Sequence, residues 1–578
     1  MTHTRLNAAD IPVPEKTLKF EGSGKQALEQ GRTRLLIAGT VFALAFCVIA
    51  ARVIDVSVFE RAEEPRLAEE RGTLTHKTGR ADIVDRNGML LATTLNVPSL
   101  YADPKYIMDP IESAAKLRTV LPELGHADLI AKFSDKKRFT WIKRNLTPRQ
   151  QYAVNKLGIP GLYFQNESKR IYPQGPLTAH IVGRAGFDDV GLSGIEKNFD
   201  SMLRDGSDPL RLSIDIRIQH ILREELQTQI DAFDGIGAAG IVMDVNSSEI
   251  VAMISLPDFD PNRRDQISDD AMFNRATLGV YEMGSTFKIF NTAMALDYGT
   301  TTMRNGYDAS KPIRIARFTI NDDHAKNRWL SVPEIFMYSS NIGSVKMALD
   351  VGGDRQKAFM KRLGFLEASA VELPERGRPL APSPWRPINT MTISFGHGIA
   401  VSPIQLANGV ASIVNGGVRH PATLLRRDTT EMLVGERVIS EKTSIAMRRL
   451  LRLVVEKGTG RNANAKGYLV GGKTGTAEKP GRGGGYQRKA LLSSFVAAFP
   501  VNDPRYVVLA MVDEPKGNKS SYGYATGGWV AAPAVKRIVE RAAPFLNVTP
   551  VDEEAPEIRR SLMVKIPQTK GKKALASF

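Results

Sequence analysis

The chain has 578 residues, 42% apolar and 24% charged, with a formal net charge of +16 and a single cysteine. That length implies two or more domains, and these ordinary fractions exclude a disordered, collagen-like or disulfide-stapled protein. No nucleic-acid motif or aromatic–basic interleaving accompanies the positive charge, so it reads as a basic surface compatible with anionic lipid or an anionic polymer.

Residues 1–34 are polar, with Pro12 and Pro14, and are expected to form a disordered cytoplasmic tail. Leu35 to Ala51 carries no charge and is bracketed by Arg34 and Arg52. At 1.5 Å per residue it covers roughly 26 Å, slightly short of a bilayer core. Continuing through Ile54 and Val56 to Val58 completes the span, with Arg52 and Asp55 at the interface. The long leader and the lack of Ala-x-Ala after the run argue against a cleaved signal peptide. The expectation is an uncleaved transmembrane anchor over 35–58, with Lys25, Arg32 and Arg34 on its cytoplasmic side and the rest of the chain outside. Cys47 sits in the anchor as a small lipid-facing residue, and Phe46 is too large to precede a lipidated cysteine.

Residues 59–210 are expected to form a separate unit: Arg61–Arg71 is a charged, Glu-rich stretch that could extend the anchor helix, and 72–210 mix short strands and turns, with Arg86-Asn87-Gly88 marking a hairpin between Ala81–Val84 and Met89–Ala92. No catalytic cluster is evident in this region, and Tyr172 and His180 read as packing or capping residues. The texture changes near Leu210. Asp215–Phe233 has the apolar stripe of an amphipathic helix, followed by strands at Gly240–Val245 and Ile250–Ser255. Leu491–Phe499 and Tyr506–Val512 form a late strand pair, and a helix is expected from about Trp529 to Phe545. Strands early and late, with helices between and at both ends, predict an α+β domain over 211–548. Its central antiparallel sheet is covered by helices, with a mostly helical insertion near 260–460. Residues 549–578 are expected to be a flexible C-terminal tail.

Three short strings occur in order inside this domain: Ser285-Thr286-Phe287-Lys288, Ser339-Ser340-Asn341 and Lys473-Thr474-Gly475-Thr476. Each alone is weak, since Ser134–Lys137 and Lys77–Gly79 repeat two of the patterns by chance. Ser285 opens an almost wholly apolar helix, where free backbone N–H groups and the helix dipole favour negative charge on an attacked oxygen. Lys288, at i+3, returns to the same face as a base, provided that burial or a second cation, with Lys473 as the candidate, lowers its pKa. Ser339 can relay a proton, and Asn341 can hold Lys288 and a substrate amide. Lys473, Thr474 and Thr476 can meet a carboxylate, Gly475 leaves room for a ligand against the backbone, and the N–H of Thr476 is a candidate oxyanion-hole donor beside that of Ser285. Strict strand alternation puts Lys473 and Gly475 on one side and Thr474 and Thr476 on the other, so alternation alone does not explain a shared site. The set is chemically suited to nucleophilic attack on an acyl group.

These residues resemble the penicilloyl serine transferases and, within them, the class B penicillin-binding proteins. The likeness extends beyond the three strings. It includes Arg71-Gly72, Arg170-Ile171-Tyr172-Pro173 and Gly194-Ile195-Glu196-Lys197, which mark a non-catalytic pedestal in that family. It also includes Pro257, Pro261-Asn262, Phe395-Gly396-His397-Gly398-Ile399 and Pro403-Ile404-Gln405-Leu406. Tyr281-Glu282 and Ser339-Ser340-Asn341-Ile342-Gly343 are similar to septal members, while Met283 and His397 replace a common proline and a frequent tyrosine.

The resemblance implies a membrane anchor, an elongated pedestal and a transpeptidase domain. It implies a peptidoglycan D,D-transpeptidase that takes the D-Ala-D-Ala end of a stem peptide onto Ser285 and is a target of β-lactams. Lys288 would be the base, Ser339 and Asn341 the relay and amide contact, and Lys473, Thr474, Gly475 and Thr476 the carboxylate strand. No metal or organic cofactor is implied. The implied partners are a membrane glycosyltransferase of the SEDS family and other divisome proteins, at the septum of the inner membrane, with the catalytic domain periplasmic. The alternatives are an elongation-type transpeptidase, a carboxypeptidase or β-lactamase, and a non-catalytic β-lactam sensor or divisome scaffold.

Overall fold

The computed structural model describes residues 23–54, 79–186, 188–206, 208–263, 267–315, 318–427, 433–481 and 485–566. The chain divides into two compact units, Met1–His76 and Lys77–Phe578. In the first, helix α1 (Ser23–Ile54) contains an 18-residue stretch, Arg34–Ala51, of mean hydropathy 2.2. By length and composition it can cross a membrane. Its side chains between Arg34 and Ala51 are exposed, Cys47 included, as a lipid-facing surface requires. The expected tail of residues 1–34 is described only from Ser23, where it is helical rather than disordered because the anchor helix continues back into it. The anchor's last residues 55–58, the Arg61–Arg71 stretch and Arg71-Gly72 lie outside the described residues.

The second unit begins with a small sheet. Strand β1 (Ile83–Val84) pairs antiparallel with the long β2 (Leu90–Ala102) through the Arg86-Asn87-Gly88 turn. Strands β3 (Thr140–Lys143) and β4 (Leu162–Ile171) pair with β2, and β5 (Leu210–Arg211) runs parallel to β1. Short helices cover one face of this sheet, burying Leu100, Leu117, Leu129 and Phe133. Ser134, the start of one decoy string, caps the C-terminal end of such a helix and so has no helix behind it.

Two of the expected pedestal motifs meet in a buried ion cluster. Arg80 pairs with Glu196 and with Asp200 at 2.6 Å, and Arg170 reaches Glu196 at 2.7 Å, with Arg80, Arg170 and Glu196 side chains fully buried. Removing one member of such a cluster strands the opposite charges away from water. Glu196→Ala is expected to destabilise the fold by about 3–5 kcal/mol, read as a lower midpoint in chemical denaturation of the purified chain. An unchanged midpoint would contradict it. The Arg170–Pro173 string also meets Pro261-Asn262, because Asn262 exchanges two hydrogen bonds with the backbone of Tyr172.

Helix α2 (Ile216–Phe233), capped by the Asp215 carboxylate, leads into β6 (Gly237–Asp244) and β7 (Ile250–Leu256). The apolar helix carrying the first string is α3 (Lys288–Asp297). Helices α4 (Val332–Tyr338) and α5 (Asn341–Val351) flank the second string, and α6 (Pro403–Val414) and α7 (Glu441–Lys457) follow. Strand β8 (Gly471–Pro480) carries the third string, and β9 (Tyr486–Phe499) and β10 (Tyr506–Asp513) are the late pair.

The five strands form one antiparallel sheet in the order β8-β9-β10-β6-β7. Side chains alternate between its faces. Ile241, Met243, Val507 and Leu509 pack toward α3, α6 and α7. Ala238, Val242, Val508 and Ala510 pack toward α2 and α8 (Ala531–Ala542). Both faces are covered, which explains why β10 is apolar at almost every position.

Two differences from the expected elements have local causes. The insertion also holds two small hairpins, Gly306–Asp308 with Trp329–Ser331 and Ile313–Ile315 with Phe318–Ile320, too short and polar to show a period. The expected flexible tail from 549 is docked as far as it is described. Helix α9 (Pro556–Leu562) places Ile558 and Leu562 on the core, Glu553 binds Arg452 at 2.7 Å, and Val551 bonds Gly467. Its sparse apolar residues each find the core, which composition alone does not reveal.

Candidate active site

Ser285 lies in a single 3₁₀ turn, Gly284–Phe287, that runs directly into α3. This corrects the expectation of an α-helical first turn and strengthens its consequence, since in a 3₁₀ turn positions i and i+3 eclipse. Lys288 therefore stands over Ser285, with Nζ 2.9 Å from Oγ. Phe287 and Phe290 anchor the segment against Phe365, with ring centroids 5.5 and 4.8 Å away. Gly284 has φ +54°, and a Cβ there would strike the backbone of Thr476. Its glycine is thus what lets β8 approach the Ser285 turn.

Ser339 caps α4 in the left-handed conformation (φ 62°, ψ 42°), so the chain reverses and α5 starts at Asn341. The turn aims Ser339 Oγ and Asn341 Oδ1 at Lys288, at 3.1 and 2.6 Å, and the Ser339 carbonyl lies 2.7 Å away. A neutral amine has two N–H groups and one lone pair. The Ser339 carbonyl and Asn341 Oδ1, which only accept, can take the two hydrogens. The lone pair is then left for the hydroxyl proton of Ser285. The Asn341 amide is oriented by donating from Nδ2 to the Asn321 carbonyl at 2.8 Å.

Lys473 completes the set. Its Nζ donates to Ser339 Oγ at 3.0 Å, so one hydroxyl bridges the two lysines. It also reaches back to the carbonyl and hydroxyl of Thr474, both at 3.3 Å, so lysine length overcomes the alternation that separates these neighbours on a strand. Thr474 Oγ1 shares a hydrogen bond with Thr459 at 2.8 Å, and Thr476 Oγ1 accepts from the Gly527 N–H at 3.1 Å. Strand β8 is the sheet edge and packs along the Ser285 turn, which leaves an edge for an extended peptide to join. All eight sequence-predicted residues thus gather on two turns and one strand.

Both lysines are buried, at 1% exposure for Lys288 and 0% for Lys473. Burial pulls the Lys288 ammonium down to about 7, against Asp323 and Asp322, which favour the charged form. Lys473 is pushed well below its ordinary value, by burial first and then by Lys288. Burial, one of the two causes expected from the sequence, lowers Lys288, and the two buried cations disfavour each other's charged form.

Asp322 was not anticipated. It follows the second small hairpin, accepts from Ser340 Oγ at 2.7 Å and from the Ile342 N–H at 2.9 Å, and so ties down both sides of the Ser339–Asn341 turn. Only the adjacent polar run Asn321-Asp322-Asp323 could have flagged it, and such runs usually mark turns. Among the described residues no His, Cys, Asp and Glu group is placed to hold a metal ion.

Residues 238–540 match the penicillin binding protein transpeptidase domain, and residues 75–212 match the penicillin-binding protein dimerisation domain. The chain is 39% identical over 543 residues to the probable peptidoglycan D,D-transpeptidase FtsI of Caulobacter vibrioides, covering 92% of this chain and 91% of that one. The chain belongs to the class B penicillin-binding proteins. This penicillin-binding protein is also 30% identical over 507 residues to the peptidoglycan D,D-transpeptidase FtsI of Escherichia coli K12, covering 82% of this chain and 84% of the relative. Its fold matches penicillin-binding protein 3 of Mycobacterium tuberculosis complexed with ampicillin, with TM-score 0.67 and 22% identity over 85% of this chain and 99% of that structure.

In this penicillin-binding protein the Asp322 carboxylate both braces the turn and stabilises the charged form of Lys288. Asp322→Asn is expected to slow acylation by a labelled penicillin about tenfold to a hundredfold, through misplaced groups. It should also move the pH inflection of that reaction to lower pH, because a lost negative charge disfavours the lysine cation. A slower rate with an unmoved inflection would leave only the bracing role.

Proposed function

We propose that this chain is a septal peptidoglycan D,D-transpeptidase working through an acyl-enzyme on Ser285. The observation that carries the reading is Lys288 Nζ at 2.9 Å from Ser285 Oγ, buried, with its two carbonyl-type acceptors in place. Lys288 takes the hydroxyl proton as Oγ attacks the penultimate D-Ala carbonyl of a donor stem peptide. Ser339, between the two lysines, passes a proton to the departing D-Ala. Asn341 holds Lys288 and the substrate amide. Lys473, Thr474, Gly475 and Thr476 on the β8 edge receive the terminal carboxylate, which would favour the charged form of Lys473. A stem-peptide amine then takes the acyl group. A β-lactam enters by the same attack and stays bound.

In this reading residues 35–58 anchor the chain in the inner membrane, 59–210 form the pedestal and 211–548 the periplasmic transpeptidase domain. A SEDS-family glycosyltransferase and other divisome proteins are the partners, met through the anchor and pedestal. The septal role draws on Tyr281-Glu282, on Ser339–Gly343, and on the likeness to FtsI of Caulobacter and E. coli. Depleting the protein should give filamentous cells, scored by microscopy. Rounded cells would assign it to elongation instead.

A further inference from the structure

Beside the nucleophile sits a second polar cluster that the acyl transfer just described does not use. Glu282 lies three residues before Ser285. Its Oε1 accepts from the Gly398 N–H at 2.7 Å and from the Tyr486 hydroxyl at 3.2 Å. Its Oε2 is buried and has no hydrogen-bond partner among the described residues. Nδ1 of His397 is buried and makes no close hydrogen bond among the described residues, although the Phe395 backbone lies near enough to favour the charged ring. The His397 ring packs between Phe395 and Tyr486, with centroids 5.3 and 5.4 Å apart. The loop carrying it is pinned to the nucleophile's turn. Gly284 N–H donates to the Gly396 carbonyl at 3.2 Å, and with φ +86° a Cβ on Gly396 would collide with Gly284. An unsatisfied buried carboxylate oxygen and an unsatisfied imidazole nitrogen are costly, and each would be relieved by a hydrogen-bonding partner.

Glu282 and Glu478 line a cavity of about 480 Å³ whose walls include Tyr281, Leu380, Ile399 and Leu492, and Gly398, next to His397, lines it too. Lys479 borders it too, but its charge is taken up by Asp513 and Glu514 at 2.9 and 2.7 Å. The cavity therefore combines apolar walls, suited to an alkyl chain, with carboxylates, suited to a cation. Burial and the Lys288 charge push the His397 imidazole toward its neutral form, against the pull of Glu282 and Glu478. A neutral ring keeps one acceptor nitrogen.

We propose that Glu282 and His397 form the subsite for the acceptor, a primary ammonium carried on an alkyl side chain, with the adjoining cavity taking that chain. This rests on the acyl-serine reading above and deepens it. The ammonium gives one proton to His397 and on to water. The neutral nitrogen attacks the ester carbon of acyl-Ser285. The C–N bond forms, the C–Oγ bond breaks, and the nitrogen's second proton is delivered to Ser285 Oγ through Ser339. The balance is one ammonium and one acyl-serine in, and one amide, one serine hydroxyl and one proton out.

The test uses the full-length chain in detergent, an N-acyl-D-Ala thioester as donor and Nα-acetyl-lysine amide as acceptor, with water as the competing acceptor. Glu282→Gln should lower the ratio of aminolysis to hydrolysis about tenfold, mostly through a higher acceptor KM, since hydrogen bonds to charged groups carry about this weight. Labelling by penicillin should fall much less. His397→Phe, which keeps the ring packing, should lower the same ratio through kcat. If both variants keep the wild-type ratio, the subsite is overturned while the acyl-enzyme stands. It is also overturned if labelling falls in parallel with the ratio, or if acceptor concentration has no effect on the acylated wild type. A wild type that takes up neither thioester nor penicillin overturns the proposed function, and the subsite with it.

Discussion

A Ser285→Ala chain should form no covalent adduct with a labelled penicillin under conditions in which the wild-type chain is labelled to completion. The methyl group keeps the volume of the site but cannot form an ester. Ser285 is partly exposed, so the substitution leaves no large void in the core. Loss of labelling would therefore reflect chemistry rather than unfolding, and an unchanged denaturation midpoint would establish that. Among the described residues, Ser339 Oγ is held between two lysines at 3.1 and 3.0 Å, and Thr476 Oγ1 accepts from the Gly527 N–H. A labelled Ser285→Ala chain would refute the assignment of the nucleophile. Rapid release of the label by the wild type would instead indicate a hydrolase, with water as the acceptor.

The second large effect concerns the base. The rate of penicillin acylation should rise with pH, bend near 7 and level off above it. The direction follows from the lysine's role: only the neutral amine accepts a proton, and below its pKa the neutral fraction falls about tenfold per pH unit. Burial places that pKa at about 7. Lys288→Arg should lower the rate roughly 10³-fold, within the range that general-base catalysis supplies, and remove the bend, because a guanidinium stays protonated. A profile flat between about pH 5.5 and 8.5, or a bend that survives in Lys288→Arg, would assign the proton transfer to another group.

Ser285 and Lys288 were legible in the sequence because their relation is local. Four residues and an apolar run fix which side chains share a face, and a 3₁₀ turn serves that relation as well as an α-helix does. The sheet was legible for a similar reason, since β6, β7, β9 and β10 are apolar runs bounded by turns. Asp322 was not legible. Its role depends on Ser340 and Ile342, reached only after the chain has passed through a strand and a helix. The docking of α9 was hidden because so few of its residues are apolar.

By itself, then, the sequence determined the apolar N-terminal run, the strand and helix periods, the family and the three short strings, all properties of neighbouring residues. Only the tertiary structure decided that strings nearly two hundred positions apart meet at one hydroxyl, Ser339 Oγ. It also decided that burial draws Lys288 down to about 7, and that one oxygen of Glu282 is buried without a hydrogen-bond partner among the described residues. Proton affinity and hydrogen-bond satisfaction depend on burial and on which distant groups share the site. Packing sets both, and no local pattern encodes them.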